Sequence, residues 1–216
     1  MIVLGVLVSG EGTNLQAILQ AIEGRTLDAR VGVVVSNVVG AGALSRARAA
    51  HVDTLVIEHG LFADRRAFDA AVVEGLRSHG VEVVVLAGFM RLVTDVLLDA
   101  FPWRVVNVHP ALLPAFPGVH APMQALDYGV SIAGCTVHFV DRGTDTGPVI
   151  AQAAVPVFYD DDETSLRKRI QAREHELLPR VLQWMAEGRV AVSAAVAPQQ
   201  RARVIVRGSR TCLGVE

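Results

Sequence analysis

The feature that most constrains the fold is a rhythm in the first half of the chain, where short apolar runs alternate with segments of helical period. Strand-like runs fall at residues 2–8, 31–36, 54–57, 81–87 and 104–108. Segments with apolar residues at three- and four-residue spacing lie between them, at 14–23, 43–51, 64–79 and 95–100. Such a βαβα order implies right-handed crossovers and a mostly parallel sheet. Composition agrees: 51% of residues are hydrophobic but only 5% aromatic, with Val and Ala dominant, as suits strands buried on both faces. At 216 residues the chain has the length of one domain with a substantial core.

The rhythm changes after Gly118. A short helix is expected at 121–128, then two longer strands at 132–140 and 149–157 joined by DRGTDTGP, then a long helix at 163–187 with an acidic first turn. Pro179 inside that helix is expected to kink it or end its first half. The fold class is therefore α/β, a single domain with a central, mostly parallel, mixed sheet flanked by helices. Residues 1–193 form the expected domain, in halves 1–101 and 102–193. The polar, Arg-rich segment 194–216 is an extension carrying one short apolar run.

Several function classes are excluded at this level. A net charge of −2 argues against a nucleic-acid-binding or polybasic membrane surface, and Lys168 is the only lysine among many arginines. Cys135 and Cys212 lie far apart, which suits neither a disulfide framework nor a zinc site. MIVLGVLV has no basic n-region and runs straight into a glycine loop, so it reads as a first strand rather than a signal peptide. No apolar stretch reaches the ~18–20 residues that span a bilayer. A soluble, cytoplasmic α/β domain is the expectation.

Three constellations carry chemistry. SGEGTNLQ, from Ser9 to Gln16, joins the first strand to the first helix, and amides at such a helix start hold anions such as phosphate. Leu15 stands where a dinucleotide fingerprint needs its third glycine, which disfavours a dehydrogenase. Without a ligand, the same loop reads as a helix entry capped by Thr13 or Asn14. In VVNVHPALLPAFPG, Asn107 and His109 lie two residues apart at a strand end, on one face and about 6.6–7 Å apart along it. Open α/β sheets bind ligands at that end. There an Asn amide can donate to an oxyanion, and a His can supply or accept a proton. A polar strand end bonded to its own loop is the alternative. In HFVDRGTDTGPVI, Asp141 and Asp145 sit in a turn, where Asp and Gly also occur for local backbone reasons. A role for either needs it to reach His109. Finally, Glu174 interrupts the helical stripe Leu166, Ile170, Leu177, Leu178, Val181. A carboxylate there needs a partner, either an Arg such as Arg65 or a cationic ligand group.

Five segments in register, SGEGTNLQAI, VVVLAGFMRLV, NVHPALLPAFPGVHA, CTVHFVDRGTDTGPVI and AREHELLP, resemble phosphoribosylglycinamide formyltransferases, folate-dependent enzymes of purine synthesis. The resemblance covers about residues 2–192. It implies the formyltransferase fold with a Rossmann-like N-terminal half, and 10-formyltetrahydrofolate as co-substrate with no metal. By resemblance Asn107, His109 and Asp145 are the catalytic Asn, His and Asp. Gly12, Thr13 and Asn14 form the substrate-phosphate loop. Gln171, Ala172, Arg173 and Glu174 hold the glycinamide substrate. Met90, Arg91, Leu92 and Val93, together with Asp141, Arg142, Gly143, Thr144 and Asp145, line the folate pocket, to which Asn107 also belongs. Arg65 contacts folate at the rim. Ala111 and Ala115 depart from the family pattern, which has Ser and commonly Lys there.

The resemblance implies small-molecule substrates, no nucleic acid or membrane partner, and a monomer or homodimer. Two other users of the same formyl donor share the loop motif. Methionyl-tRNA formyltransferase carries a second, basic C-terminal domain for which this chain ends too early. Formyltetrahydrofolate hydrolase usually has an N-terminal regulatory domain, whereas this chain begins at its first strand. A non-catalytic nucleotide-binding module is the reading from another class.

Overall fold

A computed structural model describes residues 1–193 and 202–208. Strands β1 (Ile2–Val8), β2 (Ala29–Ser36), β3 (Thr54–Val56), β4 (Val83–Leu86) and β5 (Val105–His109) alternate with helices α1 (Thr13–Glu23), α2 (Gly42–Ala49), α3 (Arg65–Ser78) and α4 (Asp95–Ala100). A single 3-10 turn, His59–Leu61, precedes α3. Then follow α5 (Ala121–Tyr128), β6 (Ile132–Phe139), β7 (Val149–Pro156), α6 (Glu163–Ala186), β8 (Val190–Ser193) and β9 (Arg203–Val206). A seven-stranded sheet has the order β3-β2-β1-β4-β5-β6-β7. The chain divides into two compact units, Met1–Asn107 and Val108–Glu216.

In the first unit β1 lies between β2 and β4, and all pairings out to β3 and β5 are parallel. The chain builds outward from β1 to β3, then returns to place β4 on the other side of β1. That reversal opens a crevice at the carboxyl ends of β1 and β4, the standard ligand position in such sheets. The segments that follow these two strands meet there: the Ser9 amide donates to the Gly88 carbonyl at 3.1 Å. Leu4, Val6, Leu7, Val34, Val84 and Val85 are fully buried, as a doubly covered sheet requires.

In the second unit β6 and β7 pair antiparallel, with a bulge between Val137 and His138 that leaves Ile150 opposite no partner. Helix α6 packs over both strands through Leu166, Ile170, Leu178 and Val181. Asp162 caps it, in reciprocal hydrogen bonds with Ser165. Of the two outcomes expected at Pro179, a kink or an end to the helix's first half, the second does not occur, and the helix runs on to Ala186. The missing amide and ring clash cost about 3 kcal/mol, but buried Leu177, Leu178, Val181 and Leu182 surround Pro179, each contributing roughly 1.5–3 kcal/mol. The apolar run of the C-terminal tail forms β9, which pairs antiparallel with β8 and lies against β7. Cys212 and the rest of the tail, 194–201 and 209–216, lie outside the described residues. No helix among the described residues is long and apolar enough to cross a membrane.

Candidate active site

The glycine loop is shaped by backbone demands. Gly12 has φ 74°, in the left-handed region, and caps the start of α1. A Cβ on it would lie 2.5 Å from that of Ala43, so only glycine fits. The expected caps, Thr13 and Asn14, instead occupy the first two helical positions, and no side chain caps the helix start. The loop is held from α2: the Ala43 amide donates to the Gly10 carbonyl at 3.1 Å, and Arg46 Nε donates to the Glu11 carbonyl at 2.8 Å. Amides at a fixed helix start can hold an anion.

The other segment of this crevice runs from Gly88 to Thr94, between β4 and α4. It contains Met90 and Leu92, apolar yet 70% and 54% exposed, with Arg91 and Val93 partly covered. Arg65, the first residue of α3, is exposed.

The end of β5 carries Asn107 and His109 in one extended run, so their side chains share a face. His109 is 4% exposed. Its Nε2 lies 2.8 Å from the Phe116 carbonyl, which can only accept, so Nε2 carries a hydrogen. Its Nδ1 lies 3.4 Å from Asp145 Oδ2. An imidazolium has a donor for each of these oxygens. Asp145 Oδ2 also accepts from the Gly118 amide at 2.8 Å, and Asp145 Oδ1 lies 3.7 Å from His138 Nε2. The carboxylate therefore sits between two buried histidines. His138 donates from Nδ1 to the Phe139 carbonyl at 2.8 Å, and burial lowers its pKa against the smaller upward effects of that bond and of Asp145.

The turn between β6 and β7 places Asp145 by local means. Asp141 accepts from the Gly143 amide at 3.0 Å and from Thr146 Oγ1 at 2.7 Å, so it organises its own loop. Arg142, Gly143 and Thr144 form the exposed rim, and Asp145 itself has φ 53°. Gly147 is required because a Cβ would come within 1.8 Å of the Phe139 carbonyl.

The loop after β5 is fixed from beneath. Thr136 Oγ1 donates to the Ala111 carbonyl at 2.7 Å and accepts from the Leu113 amide at 3.0 Å. Gln152, its cross-strand partner, donates to Thr136 Oγ1 at 2.9 Å and to the Leu113 carbonyl at 3.0 Å. Backbone contacts thus hold the loop at Ala111, where a serine hydroxyl is usual in the family the motif resembles.

On α6, Glu174 is 7% exposed, while its neighbours Ala172 and Arg173 face outward and Gln171 is partly covered. Arg173 pairs with Glu176 at 2.8 Å. The Glu174 charge adds to burial in pushing the Cys135 thiol up to about 12. That cysteine is no nucleophile.

The structure thus brings His109 and Asp145 together and adds residues that sequence reasoning passed over: His138, Thr136, Gln152, and the backbone of Phe116 and Gly118. The histidine had a visible signal. Thr136 and His138 interrupt an apolar strand two residues apart, the same pattern that marks Asn107 and His109.

The sequence pattern of the family described as formyl transferase matches residues 3–182. Phosphoribosylglycinamide formyltransferase of Escherichia coli (strain K12) is 42% identical over 185 residues, 86% of this chain and 87% of the relative. The trifunctional purine biosynthetic protein adenosine-3 of Drosophila melanogaster is 44% identical over 198 residues, 91% of this chain, and this chain spans only 15% of that protein's length. The crystal structure of glycinamide ribonucleotide transformylase 1 from Symbiobacterium toebii superposes with a TM-score of 0.90 at 50% identity, covering 95% of this chain and 94% of that one. With a family pattern over most of its length and close relatives in sequence and structure, the chain belongs to the formyl transferase family.

Proposed function

We propose that this chain transfers the formyl group of 10-formyltetrahydrofolate to the amine of 5'-phosphoribosylglycinamide, a step of purine biosynthesis in the cytoplasm. The observation that carries this reading is the buried His109–Asp145 contact at the end of a strand bearing the family's Asn-x-His motif. Relatives named phosphoribosylglycinamide formyltransferase, 41% and 42% identical over most of both chains, support the choice of acceptor.

The donor supplies an electrophilic formyl carbon. Asn107 donates to the oxyanion that forms as the acceptor amine adds to it, and protonated His109 joins it by exchanging its Nε2–H bond to the Phe116 carbonyl for one to the oxyanion; removing one such donor typically costs ~10²–10³ in rate. Asp145 orients His109 through Nδ1 and takes part in moving the amine proton to the folate N10, which departs as the bond between N10 and the formyl carbon breaks. Gly12, Thr13 and Asn14 bind the acceptor's phosphate, and Gln171–Glu174 its ribose and glycinamide part. Met90–Val93, Asn107, Asp141–Asp145 and Arg65 bind the donor, for which the exposed apolar side chains of Met90 and Leu92 provide a surface suited to a flat ring system. The working unit is 1–193, with 194–216 as an extension. It acts as a monomer or homodimer on small molecules, without metal.

The test is an assay of the purified protein with 10-formyltetrahydrofolate and each acceptor in turn. Formylation of phosphoribosylglycinamide is expected, and His109→Ala and Asp145→Asn each lower turnover by at least ~10²-fold. Transfer to methionyl-tRNA instead, or hydrolysis alone, defeats the assignment of acceptor. Full activity in either variant defeats the assignment of roles.

A further inference from the structure

Asp69 belongs to α3, is 2% exposed, and has no part in the chemistry assigned above. A buried carboxylate on an otherwise apolar helix face is costly unless it holds something in place. Its Oδ2 accepts two hydrogen bonds from one residue, the Thr94 amide at 2.5 Å and the Thr94 hydroxyl at 2.7 Å. Thr94 is the residue before α4 and would ordinarily use its hydroxyl to cap that helix, but it makes no such bond. The hydroxyl is spent on Asp69.

Thr94 ends the segment that begins at Gly88. The other end is tied as well: the Met90 amide donates to Ser9 Oγ at 2.9 Å, and Ser9 Oγ donates onward to buried Asn37 Oδ1 at 2.6 Å. Between these ties the Arg91 guanidinium sits 5.0 Å above the ring of Phe68, the residue preceding Asp69. Adjacent residues of α3 thus hold the segment at Arg91 and at Thr94. What remains untied is its exposed apolar side chains, Met90 and Leu92.

We infer that Asp69 is a positioning residue for the formyl donor: by gripping Thr94 it sets the backbone of residues 90–93 in the shape that receives the folate ring system. The inference rests on the reading of 90–93 as part of the donor site. The carboxylate is the right group because one charged oxygen accepts both bonds, and charge-assisted bonds are roughly twice as strong as neutral ones. Its effect belongs to donor binding and leaves the proton-transfer machinery of His109 and Asp145 untouched.

The experiment is steady-state kinetics of the full chain with donor and acceptor varied separately, on Asp69→Asn, Thr94→Val, their double variant, Thr94→Ser and Leu92→Ala. Asp69→Asn is expected to raise the donor KM about tenfold, with kcat changed less than about threefold and the acceptor KM unchanged. Thr94→Val gives a smaller rise in donor KM, the double variant is no worse than Asp69→Asn alone, and Thr94→Ser restores wild-type values. A merely structural role would lower thermal stability and active fraction without moving the donor KM, and that result overturns the inference. If Asp69→Asn fails to fold, Thr94→Val decides by the same criterion. Leu92→Ala separates the two levels: a raised donor KM there with none in the Asp69 and Thr94 variants refutes the positioning role alone. No change in any of them refutes the donor-site reading and the inference with it.

Discussion

Replacing Thr136 by Val tests whether the loop after β5 is held from below as described. The two side chains have nearly the same shape, so the change removes Oγ1 and little else. Oγ1 joins the Ala111 carbonyl, the Leu113 amide and the Gln152 side chain at 2.7, 3.0 and 2.9 Å. Gln152 keeps its bond to the Leu113 carbonyl, so its loss is partial. Ala111 and Leu113 are buried, and each of their stranded backbone groups costs about 1–3 kcal/mol. The added methyl returns about 0.8 kcal/mol. The net is a destabilisation of roughly 1–5 kcal/mol, a sizeable part of the ~5–15 kcal/mol typical of a domain. Urea unfolding followed by circular dichroism should show a lowered midpoint at unchanged slope. Thr136→Ser keeps the hydroxyl and should lose only about 1 kcal/mol. Because the same loop presents the Phe116 carbonyl to His109 and the Gly118 amide to Asp145, turnover should fall in the Val variant and recover in the Ser variant. A Val variant as stable as wild type, or a Ser variant less stable than Val, refutes the reasoning.

Other expectations follow from single features. Gly12→Ala forces a left-handed residue against Ala43, and should destabilise by about 1–3 kcal/mol and raise the acceptor KM; thermal melts and kinetics check both. Burial lowers the pKa of His138 and His175 in the folded chain, so below the ordinary value of 6.5 the unfolded chain binds protons that the folded one does not. Stability should therefore fall as pH drops through 6.5, and equal urea midpoints at pH 7.5 and 5.5 would contradict this. With its thiol pushed up to about 12, Cys135 should resist iodoacetamide at pH 8 until the chain unfolds, as peptide mass mapping would reveal.

The strands and helices of the first unit were legible because each announces itself locally. Residues 2–8 and 95–100 match β1 and α4 to the residue. β2 starts two residues earlier than its apolar run, since the pairing of Ile2 with Ala29 extends it through the exposed Arg30. β8 and β9 were missed because a run of three apolar residues has no strand character until each finds the other. Within the site, strand period alone set Asn107 and His109 on one face. The approach of Asp145 to His109 depends on a turn whose shape is set by Asp141, Thr146 and Gly147, and no spacing rule conveys it. Asp69 was hidden for another reason. An acidic residue on an amphipathic helix reads as solvent-facing, and only the return of the chain at Thr94 shows otherwise.

The left-handed backbone at Asp145 limits what evolution can try there. Residues that adopt this conformation at little cost are chiefly Gly, Asn and Asp, and of these only Asp is acidic. Glutamate, the usual conservative exchange, keeps the charge but strains the turn and carries the carboxylate a methylene too far. The position is thus an isolated point in sequence space: every neutral route away from Asp145 loses the charge, the turn, or both. A relative that has changed its chemistry should show the change here as Asn or Gly, with the backbone of the loop intact.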